Sequence, residues 1–125
     1  VGELYSEPIF PIGFDDDALE EDLSHLTASA EAALRSFQKE VRRLGGIPKS
    51  RLMACQAEGR DGTRLGGCVK TYILWPDGRF GAVFVAVTHP NRPMGLRAVA
   101  FGIRHQPRRS NAPTVYEVAD RRLNR

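Results

Sequence analysis

The spacing of apolar residues changes period along the chain. Ala30, Ala33, Leu34, Phe37, Val41 and Leu44 recur at three- and four-residue steps, which is the signature of one buried helical stripe. Thr27 or Ser29 is placed to start this helix, and Gly45-Gly46 with Pro48 to end it. Lys39, Arg42 and Arg43 fall in its last turns. Upstream, Asp15 or Asp16 predicts the cap of a first helix reaching about Leu26, with carboxylates in the turn where the helix dipole favours them. The two helices make a hairpin. Before them, residues 8–14 (PIFPIGF) predict a short strand that Pro8 and Pro11 confine to a sheet edge.

The second half reads as strands. Arg51–Gln56 predicts a short strand, and residues 59–67, with four glycines, a loop. Val69–Trp75, Phe80–Thr88 and Leu96–Arg104 are rich in β-branched and aromatic residues. Pro76-Asp77-Gly78 turns the first into the second, with Gly78 set for a left-handed conformation, and His89–Met94 joins the second to the third. Short links favour an antiparallel meander with the two most apolar strands central. Pro107–Pro113 is a loop, and Val115–Leu123 predicts a closing helix. Together these elements predict a single α+β domain over residues 1–125. Its N-terminal helical hairpin packs on an antiparallel sheet of about four strands, and a short C-terminal helix follows.

Charge adds direction to this pattern. Residues 1–25 hold eight carboxylates and no Lys or Arg, whereas residues 91–125 hold eight Arg against Glu117 and Asp120. Of eighteen cationic residues fifteen are Arg, whose planar fork suits phosphate and stacks on bases. A basic end on a small domain points to nucleic acid; a solvated surface is the plainer alternative. No apolar run reaches the length of a membrane span. Cys55 and Cys68 lack metal-type spacing, so reduced thiols in a cytoplasm are expected, with no metal and no cofactor.

Several side chains are candidates for chemistry. Lys70 and Tyr72 are two apart on one strand and share a face with Leu74, while Val69, Thr71, Ile73 and Trp75 face the helical hairpin. Arg79 joins the Lys70 face if the turn loop has two residues, and the Trp75 face if it has three, the case that Pro-Asp-Gly favours. Arg104 ends a buried strand, where its charge needs water or a partner such as Glu117. His105 is a candidate general acid or base, because an imidazole can both give and take a proton. Tyr116, at the mouth of the last helix, either stacks on a base or packs on the sheet.

Three stretches together resemble the RelE/ParE superfamily of bacterial toxins, especially its RelE branch. FDDDALEEDLSHL is similar to the family's short strand and acidic-capped first helix. RLGGCVKTYIL resembles the approach to its first central strand. VAFGIRHQPRRSNAPTVYEVADRRL resembles its last strand, Gly-x-Arg exit, Val-Tyr pair and basic terminal helix. With gaps, the resemblance covers most of residues 8–123.

It implies a ribosome-dependent mRNA endoribonuclease that drives a ribose 2′-hydroxyl onto the adjacent phosphate, without a metal. The partners implied are mRNA in the ribosomal decoding site, 16S rRNA and a cognate antitoxin protein. Carried over by position, Lys70 activates the hydroxyl or stabilises charge, Arg104 assists the phosphate and leaving oxygen, and Tyr116 stacks on or orients the nucleotide. Tyr72, Arg79, Arg108, Arg109, Arg121 and Arg122 are the expected nucleic-acid contacts.

Two departures from the family pattern bear on catalysis. Tyr72 stands where the family has a second Lys, and Gly81 falls near a family Arg, with Arg79 two positions away. His105 is the residue available to restore acid–base capacity. Residues 89–95 and 106–113 read as insertions. Two other readings therefore stand beside the first: a ParE-like DNA gyrase inhibitor, and a catalytically silent nucleic-acid- or protein-binding domain.

Overall fold

The computed structural model of the chain describes residues 8–14, 21–22, 27–59, 62–75, 78–89, 92–105 and 113–124. Its elements are β1 (Ile9–Phe10), β2 (Ile12–Phe14), α1 (Ala28–Leu44), β3 (Ile47–Pro48), a 3-10 turn (Lys49–Arg51), β4 (Met53–Ala54), β5 (Cys68–Ile73), β6 (Phe80–His89), β7 (Arg92–Ile103) and α2 (Val115–Asn124). The architecture is α+β.

α1 forms where the apolar spacing places it. The Thr27 hydroxyl accepts from the Ala30 N–H, and Gly45 closes the helix at φ 79°. A cap of the Thr27 kind contributes about 1 kcal/mol, and the left-handed C-cap favours glycine because a Cβ is penalised there. Ala30, Ala33, Leu34, Phe37 and Val41 are buried, so the stripe is the face laid on the sheet. The first helix expected from Asp15 or Asp16 to about Leu26 lies outside the described residues, except Glu21 and Asp22, which are helical. Among the described residues, then, one helix precedes the sheet's meander and one follows it, in place of the expected N-terminal pair.

The main sheet has five strands in the order β2-β7-β6-β5-β4. β5, β6 and β7 form the expected antiparallel meander, with β4 antiparallel at one edge and β2 parallel at the other. The expected strand at residues 8–14 is two strands. β1 pairs with β3 in a separate ribbon, and β2 joins the main sheet. Pro11 lies between them, where its lack of an N–H interrupts a ladder.

The expected connection at His89–Met94 is mostly strand, since His89 pairs with Arg92. The register shift between Val87 and His89 sets Pro93 in an irregular stretch, where a missing donor is tolerated. A second shift pairs Val83 with Ala100 but Phe84 with Ala98, so Val99 is an extra residue in β7.

Alternation along the strands separates two cores. Ile73, Phe80, Ala82, Phe84, Leu96 and Phe101 pack with α1, whereas Cys68, Val83, Val99 and Ala100 pack against Val115 and Ala119 of α2. The bulge at Val99 lets Val99 and Ala100 both enter the second core. α2 starts on a capping box: the Glu117 N–H donates to the Thr114 hydroxyl, and the Thr114 N–H to Glu117 Oε1.

Candidate nucleic-acid interface

β5 delivers Lys70 and Tyr72 to the sheet face that α2 only partly covers, and both are half-buried. Two strands away, across β6, β7 ends at Ile103, and Arg104 follows on the same face. Its guanidinium carbon stands 3.5 Å from the Tyr72 ring centroid. Lys70 Nζ lies 5.6 Å from that ring and 5.1 Å from the ring of Tyr116. Two cations and two tyrosines from β5, the β7 exit and α2 thus form one contiguous cluster. Such contacts hold a cation over the negative face of a ring, which also offsets part of the repulsion between Lys70 and Arg104.

Gly81 explains how Arg104 reaches across. It is the β6 residue opposite both Tyr72 and Gly102, so it lies between them on this face. A Cβ at Gly81 would meet Arg104 Cγ at 3.1 Å and the Thr71 carbonyl oxygen at 3.2 Å. The space a side chain would fill is taken by the Arg104 stem. Arg104 Nη1 donates to the Gly78 carbonyl at 2.9 Å, and its backbone N–H to the Arg79 carbonyl at 2.9 Å. Its Nε is buried with no hydrogen-bond partner. A buried N–H left unpaired is unfavourable by about 1–3 kcal/mol.

Lys70, Arg104, His105, Tyr116 and Glu117 line a pocket of about 490 Å³, with Gln56, Gly59, Thr63 and Leu65 forming another wall. That wall is tethered to α2, since buried Asp120 accepts from the Arg64 N–H at 2.9 Å and Asn124 donates to the Arg64 carbonyl at 2.8 Å. Cations at one side, aromatic rings beside them and polar groups across the cavity match a phosphate joined to a planar base.

The structure distributes the remaining expected contacts differently. His105 is exposed at the pocket rim. Glu117, expected as a partner for Arg104, is occupied by the capping box instead; the Thr-x-x-Glu spacing carried that signal in the sequence.

The last ladder pair before the β5–β6 turn is Ile73–Phe80, so the connection is longer than either loop considered. The register aligns Arg79 with Leu74, the parity of Tyr72 rather than Trp75. Its guanidinium lies 5.5 Å from the Phe80 ring. Gly78 has the expected left-handed φ, 77°.

Arg121 is exposed on α2, while Arg108 and Arg109 lie outside the described residues. Arg122 is committed internally. It donates to Asp22 Oδ1 at 2.7 Å and to the Val99 carbonyl at 2.7 Å, and Glu21 stands 3.4 Å away. Burial alone would lower its pKa, but the hydrogen bonds and charge of Asp22 and Glu21 carry it above the usual arginine value. Asp22 also accepts from the Phe101 N–H, so this pair occupies the β7 edge past the end of β2.

Among the described residues no group of three or more His, Cys, Asp or Glu is placed to hold a metal, and no helix is long and apolar enough to cross a membrane. Comparisons with protein-family models, curated proteins and solved structures find no match for this chain.

Proposed function

We propose that the chain is a ribosome-dependent mRNA endoribonuclease toxin of the RelE type. The observation that carries this reading is the convergence of Lys70, Tyr72, Arg104 and Tyr116 on one open face. In this mechanism a ribose 2′-hydroxyl attacks the adjacent phosphate, and Lys70 and Arg104 supply charge where the phosphorane develops. Tyr116 orients the nucleotide by stacking, and His105 at the rim moves a proton. The working setting is the decoding site, with 16S rRNA as scaffold, in a cytoplasm where a cognate antitoxin covers the basic face.

The test is primer extension on programmed ribosomes, with thermal melts to verify folding. Arg104→Ala is expected to slow cleavage by roughly 10²-fold or more, as loss of a preorganised electrostatic group does. Arg104→Lys recovers part of the rate, because a point charge lacks the two-pronged contact. Tyr116→Phe is milder than Tyr116→Ala. Cleavage by folded Arg104→Ala at the wild-type rate would refute the assignment.

One observation favours a second reading, ParE-like gyrase inhibition or silent binding. Tyr72, where the family has a second Lys, pins Arg104 by its ring, with the Gly78 carbonyl as a further anchor. Inhibited supercoiling with mRNA left intact would give that reading precedence.

A further inference from the structure

The two cysteines, expected from the sequence to be reduced thiols, are brought together by the sheet. The β4–β5 register pairs Met53 with Lys70 and Ala54 with Val69. One further step sets Cys55 opposite Cys68, and the Cys55 N–H donates to the Cys68 carbonyl at 3.0 Å. One of the two bonds of a hydrogen-bonded pair is thus made, the Cys68 N–H going to the Leu65 carbonyl instead; residues opposite each other on neighbouring strands have Cα atoms about 4.5–5.5 Å apart and side chains on one face. A disulfide closes over Cα separations of about 4.4–6.8 Å.

A shared face is independently evident, because Cys55 and Cys68 both pack in the core beneath α2 with Leu65 and Val83. Both thiols are free. After burial, the Cys68 charge is the next cause raising the Cys55 pKa, so each sulfur lies within the other's field. Cys55 is half-buried and lines the pocket, while Cys68 is buried. Neither is given a role in the proposed cleavage.

We propose that Cys55 and Cys68 form a dithiol oxidation site that closes an intramolecular disulfide between β4 and β5 in the presence of a disulfide-class oxidant. The accessible Cys55 loses its proton and attacks one sulfur of oxidised glutathione, whose S–S bond breaks as one glutathione thiolate leaves. Cys68, deprotonated in turn, attacks the Cys55 sulfur of the mixed disulfide and expels the second glutathione. The protein gives up two protons and two electrons, and the oxidant recovers them as two thiols.

The new bond closes the loop over residues 56–67 onto the strand that carries Lys70. That loop holds Gln56, Gly59, Thr63 and Leu65 of the pocket wall, so oxidation fixes one wall of the pocket. The inference does not depend on RNA cleavage.

The experiment treats the purified full chain with oxidised glutathione at mildly alkaline pH, followed by intact mass and a thermal melt. The expected end product is a monomer lighter by about 2 Da, with no retained glutathione, reversed by dithiothreitol. Its Tm is higher by roughly 10 °C, as expected for a closed loop of this length. Cys68→Ser, or Cys68→Ala should the serine fail to fold, is expected to stop at a stable glutathione adduct on Cys55. A wild-type end product that keeps glutathione, a disulfide-linked dimer, or two thiols still free after prolonged exposure would each overturn the proposal.

Discussion

The two faces of the central sheet are built from alternate residues of the same strands, yet they do opposite work. On the α1 face Phe84 and Leu34 are fully buried, and Phe80 stacks on Phe101 with centroids 6.1 Å apart. On the α2 face only one region is closed, by Val83, Val99, Ala100, Val115 and Ala119. Beyond it stand Lys70, Tyr72 and Arg104. Helix length accounts for much of the contrast: α1 runs Ala28–Leu44 and α2 only Val115–Asn124. A sheet packed on one face through this core can hold charges together on the other. The closed face stabilises the scaffold, and the open face uses it.

Substitutions on each face should separate these roles. Phe84→Ala removes the central ring of the closed face and is expected to destabilise the fold by about 3–5 kcal/mol. Lys70→Ala on the open face is expected to change stability by no more than about 0.5 kcal/mol. Urea denaturation of both variants checks this, and similar losses would show that the faces are not distinct in role. Asp22→Ala belongs with the large effects although it lies at the sheet edge. It leaves Arg122, whose side chain is 17% exposed, without its bidentate partner. Breaking a buried pair in this way is unfavourable by about 3–5 kcal/mol, and partial exposure of Arg122 places the expected loss at or below the lower end.

Gly81→Ala sharpens the comparison within one strand. Its methyl group would press on Arg104 Cγ and on the Thr71 carbonyl; the flexible stem yields more readily than backbone does. We expect a stability loss of about 1 kcal/mol, the lower range of overpacking. If the chain cleaves RNA, the rate falls roughly tenfold or more as Arg104 leaves its position. Ala82→Gly, one residue away on the closed face, serves as the control. It removes a buried methyl and is expected to lower stability while leaving the rate of the folded fraction unchanged. A Gly81→Ala enzyme as fast as wild type would show that the seat of Arg104 is unimportant.

What the sequence made legible follows from local periodicity. Period-two alternation was enough to put Lys70 and Tyr72 together, and the strand exit at Arg104 put a cation near them. The α1 stripe was equally plain, because its partner surface is generic. Features that depend on distant partners were hidden. Nothing near Arg122 in the chain reveals that Asp22 will hold it, so an internal arginine reads like a surface one. Glu117 reads as an ion-pair partner for Arg104, but the capping box with Thr114 takes its carboxylate. The split of the 8–14 strand into β1 and β2, and the strand ends around His89 and Arg92, come from pairing rather than composition. Gly81 looked like a missing cation until the fold showed an arginine lying over it.

The smallest expected effect concerns pH and the open face's own core. Burial, then the charge of Cys68, pushes the Cys55 thiol from 9.0 up to about 11, against the opposing pull of Lys70. Cys68 is raised as well, by burial. In the unfolded chain both thiols titrate near the ordinary value, so between pH 9 and 11 the unfolded state holds fewer protons than the folded one. Stability is therefore fully present below about pH 9 and declines as pH rises through about 11. Reduced protein melted at pH 8 and pH 10 should show the decline, and Cys55→Ser should make it shallower. Lys70→Ala removes the cation that favours the Cys55 thiolate, so in that variant the thiol should titrate higher still, by absorbance of the thiolate. An unchanged Cys55 titration would mean that Lys70 points away from the thiol and toward the tyrosines alone.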